Sequence, residues 1–322
     1  MSNRTPTHLT AVLLPLGLVA AIFLGGCSAT KTASGSGQLL FREPDAAIAA
    51  LSEAAASEEE REWNALFGPD SLDLLRSGDD IADRGRIREI QALMRERMAF
   101  EVVDDETRIA VLGDDAWPFP IPLIRQGRYW RFDTETGRQE IENRRVGLNE
   151  IKTLATLHAV VDAQREYAAG RYAGRAGVFA ARVISSEGKR DGLYWPTANG
   201  KPASPLGRLV AEATGEGYSA EGYLGENEAG PTPYHGYFYR LLLAQGSNAP
   251  GGAKSYVDTK GAMTRGFAML AWPARYGSSG KMTFLVDEKG IVFQKDLGAE
   301  TAATAAAVQS YDPDKTWSPT AD

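Results

Sequence analysis

The spacing of hydrophobic positions changes character several times along this chain. Ala11 to Leu24 is an apolar run broken only by Pro15 and Gly17. From Pro44 the spacing is helical: Ala47, Ile48, Leu51 and Ala55 form one stripe, Trp63, Leu66 and Phe67 a second, and Ile87, Ile90, Leu93 and Met94 a third over Arg84–Met98. The period then falls to two. Ala99–Val103, Arg108–Leu112, Phe119–Ile124 and Tyr129–Phe132 read as short strands separated by Asp- and Gly-containing turns. Residues 39–133 are therefore expected to form a small α+β domain of helices followed by an antiparallel meander. Trp117, Phe119, Trp130 and Phe132 would fill its concave sheet, as core or as the lining of a ligand-binding cone.

A long helix is expected next, over about Glu140–Gly170, with Ile151, Leu154, Leu157 and Val161 on its apolar stripe. Lys152, Asp162, Arg165 and Glu166 take the other face, and His158 falls at the stripe's edge. Residues 185–233 are rich in Gly, Pro and acid and read as loop, with a helical turn at Leu206–Ala213. Strands return at Tyr234–Gln245, Arg265–Ala274, Lys281–Val286 and Ile291–Lys295. The last two flank Asp287-Glu288-Lys289-Gly290, a hairpin turn whose glycine can take positive φ. An Ala-rich helix follows from about Glu300. Residues 134–322 thus predict a long helix packed on a second antiparallel sheet, and the whole chain is α+β.

The N-terminal run is too short to cross a bilayer, which takes about 20 helical residues. Its charged flank at Arg4 and its close at Leu24-Gly25-Gly26-Cys27, which resembles a lipobox, mark residues 1–26 as a signal peptide. Cys27 would become the acylated first residue, carrying palmitate-type chains. Ser28 follows it where an Asp would favour the inner membrane, so the expected location is the cell envelope, anchored by lipid in the outer membrane and facing the periplasm. Residues 28–38 form a polar tether reaching ~20 Å. Cys27 is the only cysteine, so the mature chain forms no internal disulfide and must rest on its hydrophobic core. The net charge of −7 becomes −8 on cleavage, because residues 1–26 hold Arg4 and no acid. No basic stripe accompanies it, which excludes a nucleic-acid partner.

Catalytic signatures are sparse. His158 and His235 are too few and too far apart for a zinc hydrolase, no phosphate-binding loop occurs, and Gly277-Ser278-Ser279-Gly280 is one residue short of a nucleophile elbow. No cofactor and no metal are expected, and the balance leans away from an enzyme. Three constellations remain. His235, Tyr237 and Tyr239 would share one face of a strand, as a polar binding floor, an acid–base group or an ordinary half-buried aromatic strand. Trp195 and Trp272, each followed by proline, suit either sugar rings or the locking of a strand end. Glu212, Glu216, Glu221, Glu226, Asn227 and Glu228 could gather Ca²⁺ or simply be solvated.

The runs Tyr194-Trp195-Pro196-Thr197, Pro231-Thr232-Pro233-Tyr234-His235-Gly236-Tyr237, Ala249-Pro250-Gly251-Gly252-Ala253, Ala271-Trp272-Pro273 and Gln294-Lys295-Asp296-Leu297-Gly298 resemble a bacterial lipoprotein family catalogued as domain of unknown function 2950. Asp115-Ala116-Trp117-Pro118-Phe119-Pro120 and Asp162-Ala163-Gln164-Arg165-Glu166-Tyr167 extend the resemblance upstream. It implies membership without an assigned activity and carries over no catalytic residue. The layout of the second region is also similar to pilin-type globular heads. The expected role is a non-catalytic interaction, scaffold or assembly lipoprotein with an envelope protein partner. The alternatives are a periplasmic ligand-binding module using Trp195, His235, Tyr237, Tyr239 and Trp272, or a hydrolase of envelope polymers. Binding aromatics would stand exposed together, scaffold aromatics would be buried apart, and an enzyme needs a carboxylate beside His235.

The anchor is directly testable. Wild-type protein is expected to incorporate a labelled fatty acid in its own cell, and Cys27→Ser to incorporate none. Equal labelling of the two would place the lipid elsewhere.

Overall fold

The computed structural model describes residues 32–33, 37–57, 59–69, 71–170, 172–197, 203–219, 226–227 and 230–321. The expected signal peptide and Cys27 lie outside the described residues, as do Glu221 and Glu228. Helix α1 (Pro44–Ser57) opens on a proline, whose missing N–H costs nothing at a first helical position, and it buries Ala47, Leu51 and Ala54. Helix α2 (Glu60–Phe67) stops at Gly68. A 3₁₀ turn, Ser71–Leu75, leads to α3 (Asp80–Glu96). That helix begins four residues before the start expected at Arg84, because the Asp79 side chain accepts the Ala82 N–H at 3.0 Å and caps it.

Strands β1 (Met98–Val102), β2 (Thr107–Leu112), β3 (Leu123–Gln126) and β4 (Tyr129–Phe132) form an antiparallel meander, and Trp117–Pro118 pairs beside β2. The strand expected over Phe119–Ile124 is shorter than its period suggests. Pro118, Pro120 and Pro122 alternate there and cannot donate to a ladder, so the chain leaves the sheet and turns Phe119 and Ile121 inward. The residues placed in the tether are partly engaged. Thr32–Ala33 pairs with Leu39–Leu40, and Gln38 is buried, its amide donating to the carbonyls of Leu66 and Phe132.

Helix α4 (Thr134–Ala169) has 36 residues and is about 54 Å long at 1.5 Å per residue. Its first half packs on the meander's core through Ile141, and its second half carries Leu157, Val160 and Tyr167 into a second core. The expected stripe holds at Leu157 and Val161, which are buried, and at Leu154, which packs against them, but Ile151 is 66% exposed. Beside it runs a second buried row, Arg145, Asn149, Thr153, Thr156, Val160, Gln164 and Tyr167, at steps of three and four. Its polar members are there to hold backbone and side chains of the second region. Asn149 donates to the Ser279 carbonyl at 2.9 Å, and Gln164 exchanges two hydrogen bonds with Ala180. Apolar spacing alone cannot reveal a face built this way.

Helix α5 (Gly207–Glu216) lies within the stretch read mainly as loop. The second sheet runs β5 (Tyr237–Leu242), β6 (Ala268–Pro273), β7 (Met282–Asp287) and β8 (Val292–Asp296), all antiparallel, with Ser318–Pro319 on its edge. The β7–β8 hairpin closes as expected: Gly290 sits at φ +84° and donates to the Asp287 carbonyl. Helix α6 (Thr301–Ala307) packs behind β6. The architecture is α+β, with one long helix common to both cores.

Candidate functional site

Two features stand out where the regions meet: a buried polar junction and, beside it, an apolar cavity. The junction centres on Asp79, which is 2% exposed. Its Oδ1 caps α3. Its Oδ2 accepts the Tyr218 hydroxyl and the Gly236 N–H, both at 2.9 Å, from the second region. Tyr218 in turn accepts the His235 N–H at 3.3 Å. Burial, then the nearby Asp79 carboxylate, pushes the Tyr218 phenol far above its ordinary range, so it stays a donor.

These bonds fix the chain at Tyr234–Tyr237, which reverses in two residues. Tyr234 and Tyr237 exchange backbone hydrogen bonds, and His235 and Gly236 between them have φ of +50° and +77°. Positive φ at both central positions is the type I′ hairpin. Only glycine suits the second position, because a Cβ there would lie 2.5 Å from the Asn149 amide nitrogen. Histidine at positive φ is strained, and the bonds from Asp79 and Tyr218 hold it.

His235 is therefore a turn residue, in contrast to the strand position expected for it. Its Nδ1 lies 3.4 Å from Lys152 Nζ and its Nε2 3.4 Å from Glu216 Oε2. Lysine only donates, so Nδ1 accepts and Nε2 carries the proton. Burial, and then the charges of Lys152 and Arg86, lower the imidazole's pKa to about 3. The contact with Glu216 is accordingly not an ion pair at neutral pH. A carboxylate does stand beside His235, but an imidazole this weakly basic cannot take up a proton usefully near pH 7.

The other expected site residues lie apart. Tyr237 is fully buried and donates to the Met282 carbonyl at 2.9 Å, and Tyr239 meets the Thr153 hydroxyl at 3.2 Å. Trp272 pairs across the sheet with Phe238, on the face opposite Tyr237 and Tyr239, and carries Arg240 over its ring at 5.4 Å. Trp195 is 5% exposed and packs at 4.9 Å from Tyr172, which neighbours Tyr167. Lys152 and Tyr167 are about four turns apart on α4, roughly 22 Å. Tyr234 lies against both His235 and Tyr239, at 4.0 and 6.4 Å between ring centres, whereas Trp195 and the partly buried Trp272 stand away from them. Of the acidic set, Glu212 pairs with Arg208, and Glu216 with Lys152.

The cavity was not marked by any motif. Its walls are Trp63 and Phe67 of α2, Leu74 and Leu75 of the 3₁₀ turn, Ile87 and Ile90 of α3, Trp117, Phe119 and Ile121 of the loop after β2, and Ile141 of α4. The space within it accessible to water measures about 100 Å³. Trp63, Phe67 and Phe119 form its aromatic side, with rings 5.8 and 6.1 Å apart and nearly parallel. Charged groups border it at Asp83, Arg86, Arg144 and Arg145. Arg145 is buried on α4 and donates to the Leu74 carbonyl and, at 3.2 Å, to Ser278 Oγ. Burial raises the Asp83 pKa, against the Ser77 N–H at 2.7 Å and the charge of Arg145.

The family described as a protein of unknown function, DUF2950, matches residues 38–320. The chain belongs to that family. The match takes in the junction and every wall of the cavity. No curated protein and no solved structure matches the chain.

The buried imidazole gives the junction a pH signature. An unfolded histidine titrates near 6.5, so between pH ~3 and ~6.5 the unfolded chain binds a proton that the folded chain excludes. Stability therefore falls as pH drops through that window. His235→Gln lacks this contribution. The wild-type advantage over His235→Gln in denaturant melts is expected to shrink by about 2 kcal/mol between pH 7.5 and 4.5. A constant difference would show that His235 is readily protonated in the fold.

Proposed function

We propose that this chain is a lipid-anchored envelope protein that holds a mostly apolar small molecule in the cavity between α2, α3 and α4, without transforming it. One observation carries this: aromatic and branched aliphatic side chains from several separate elements make up most of the lining of one space, with a few charged side chains among them. Ligand sites have that composition, with apolar surface supplying affinity and a few polar groups supplying orientation. An unfilled space costs stability, and here the surrounding elements are held apart by hydrogen bonds that do not depend on filling it.

Two further points support the assignment. Gln38 binds the carbonyl of Leu66, next to the wall residue Phe67, so the cavity lies at the foot of the tether. With Cys27 acylated in the outer membrane, the cavity would sit close to the membrane surface on the periplasmic side. His235, the group most suggestive of catalysis, is held neutral inside the fold. A membrane-fixed binding protein acts by passing its ligand on or by reporting its presence, so an envelope protein partner belongs to the proposal.

The test uses the mature chain with Cys27→Ala, which keeps every described residue and needs no detergent. The neutral dye N-phenyl-1-naphthylamine should bind it and brighten. Ile87→Trp, which fills the cavity from α3, should weaken that binding at least about tenfold, or about 1.4 kcal/mol, with the melting temperature unchanged or raised. Undiminished binding in a folded Ile87→Trp protein would remove the cavity from the account.

A further inference from the structure

We infer that the ligand is a single-chain amphiphile with a compact anionic head, a carboxylate or a phosphate monoester, and that Arg86 binds the head. This rests on the cavity being a ligand site and adds the chemistry of its occupant. Four charged side chains border the space, and three are already engaged. Arg144 lies over the Trp117 ring at 5.1 Å and bonds Glu140 at 2.7 Å and the Pro118 carbonyl at 2.6 Å. Arg145 is held by the Leu74 carbonyl and by Ser278. Asp83 accepts the Ser77 N–H, and its charge acts on Arg145.

Arg86 is the exception. It is half-buried at the cavity's edge, and among the described residues no hydrogen bond, ion pair or ring contact engages it. Its electrostatic neighbours are Arg145, of like sign, and the imidazole of His235. Its donors are uncommitted among the described residues, so an anion entering from the cavity side can take them. The planar fork fits two oxygens of a carboxylate or a phosphate.

The amide and hydroxyl side chains near the apolar walls are spent inside the fold. The Gln91 amide donates to the Ala55 carbonyl at 2.8 Å, and Ser71 Oγ donates to Asn64 at 3.2 Å. Phe67, Ile87, Ile90 and Ile141 offer no hydrogen bond at all. Beyond the head, the site accepts hydrocarbon. One anionic group at Arg86 followed by an apolar chain along α3 towards Ile90 describes a fatty acid or an alkyl phosphate, molecules that a site near a bilayer meets in quantity.

The experiment displaces N-phenyl-1-naphthylamine from the mature Cys27→Ala chain with dodecanoate, dodecyl phosphate and dodecanol. The acids should displace the dye at concentrations at least about tenfold below the alcohol. Whichever of the two acids is preferred separates a free fatty acid from a phosphate-headed lipid. Arg86→Gln should shrink the preference for acid over alcohol to within about twofold, and Arg86→Lys, which keeps the charge but not the fork, should fall between. Dye bound and displaced equally by acid and alcohol would overturn the head-group assignment and leave the cavity standing. An acid preference that survives Arg86→Gln would assign the head to another residue. Failure of the dye to bind at all would sink both. If Arg86→Gln does not melt cooperatively, Arg86→Lys carries the comparison.

Discussion

Asp79 is almost wholly buried, and its two oxygens accept three hydrogen bonds that arrive from separate parts of the chain. One bond starts α3. Another fixes Tyr218 just past α5, and the third fixes the backbone of the turn that leads into the second sheet. A carboxylate in that position has no water to fall back on, so each donor is worth more than at a surface, and losing the acceptor strands all three donors. The geometry of α3, which supplies one wall of the cavity, is therefore set by contacts with the second region.

Helix α4 completes the arrangement from the other side. It carries Ile141 and Arg145 at the cavity and, farther along, Asn149, Thr153 and Gln164 into the second region's loops and strands. Arg145 bonds the 3₁₀ turn below and Ser278 above, and Arg275 donates to the Arg76 carbonyl at 3.0 Å close by. The segment from Leu74 to Ile81 is thus stitched to the second region along its length. With its walls fixed from outside, the cavity need not be filled to keep its shape, as preorganised recognition requires.

Much of this fold was legible from spacing alone. Period-two runs located β1, β2, β4 and the second sheet, and Gly290 after three polar turn residues marked the β7–β8 hairpin. The misses have physical causes. The apolar stripe of α4 marks only part of its buried face, because Asn149, Thr153 and Gln164 are buried beside it, held by distant partners at Ser279, Tyr239 and Ala180. His235 was placed in a strand by alternation, although a residue followed by Gly236 and flanked by aromatic strand residues is itself a hairpin signal. Asp79 declares only half of its role in the sequence. An Asp just ahead of Ile81 and the helical spacing beyond was a capping signal, but nothing local indicates that its second oxygen holds another region. Trp117 and Phe119 were suspected as a ligand-binding cone and do line the cavity. Its other walls come from α2, α3 and α4, and their convergence is a property of packing that no motif encodes.

Asp79 joins the two cores into one cooperative unit and so maintains the cavity. Scanning calorimetry of the mature chain, with and without Asp79→Ala, tests it most directly. The wild-type chain should unfold in a single transition, with calorimetric and van't Hoff enthalpies in agreement. Asp79→Ala should melt in two steps, with residues 39–133 unfolding first. Two separate transitions in the wild-type chain, or one unshifted transition in Asp79→Ala, would contradict the account.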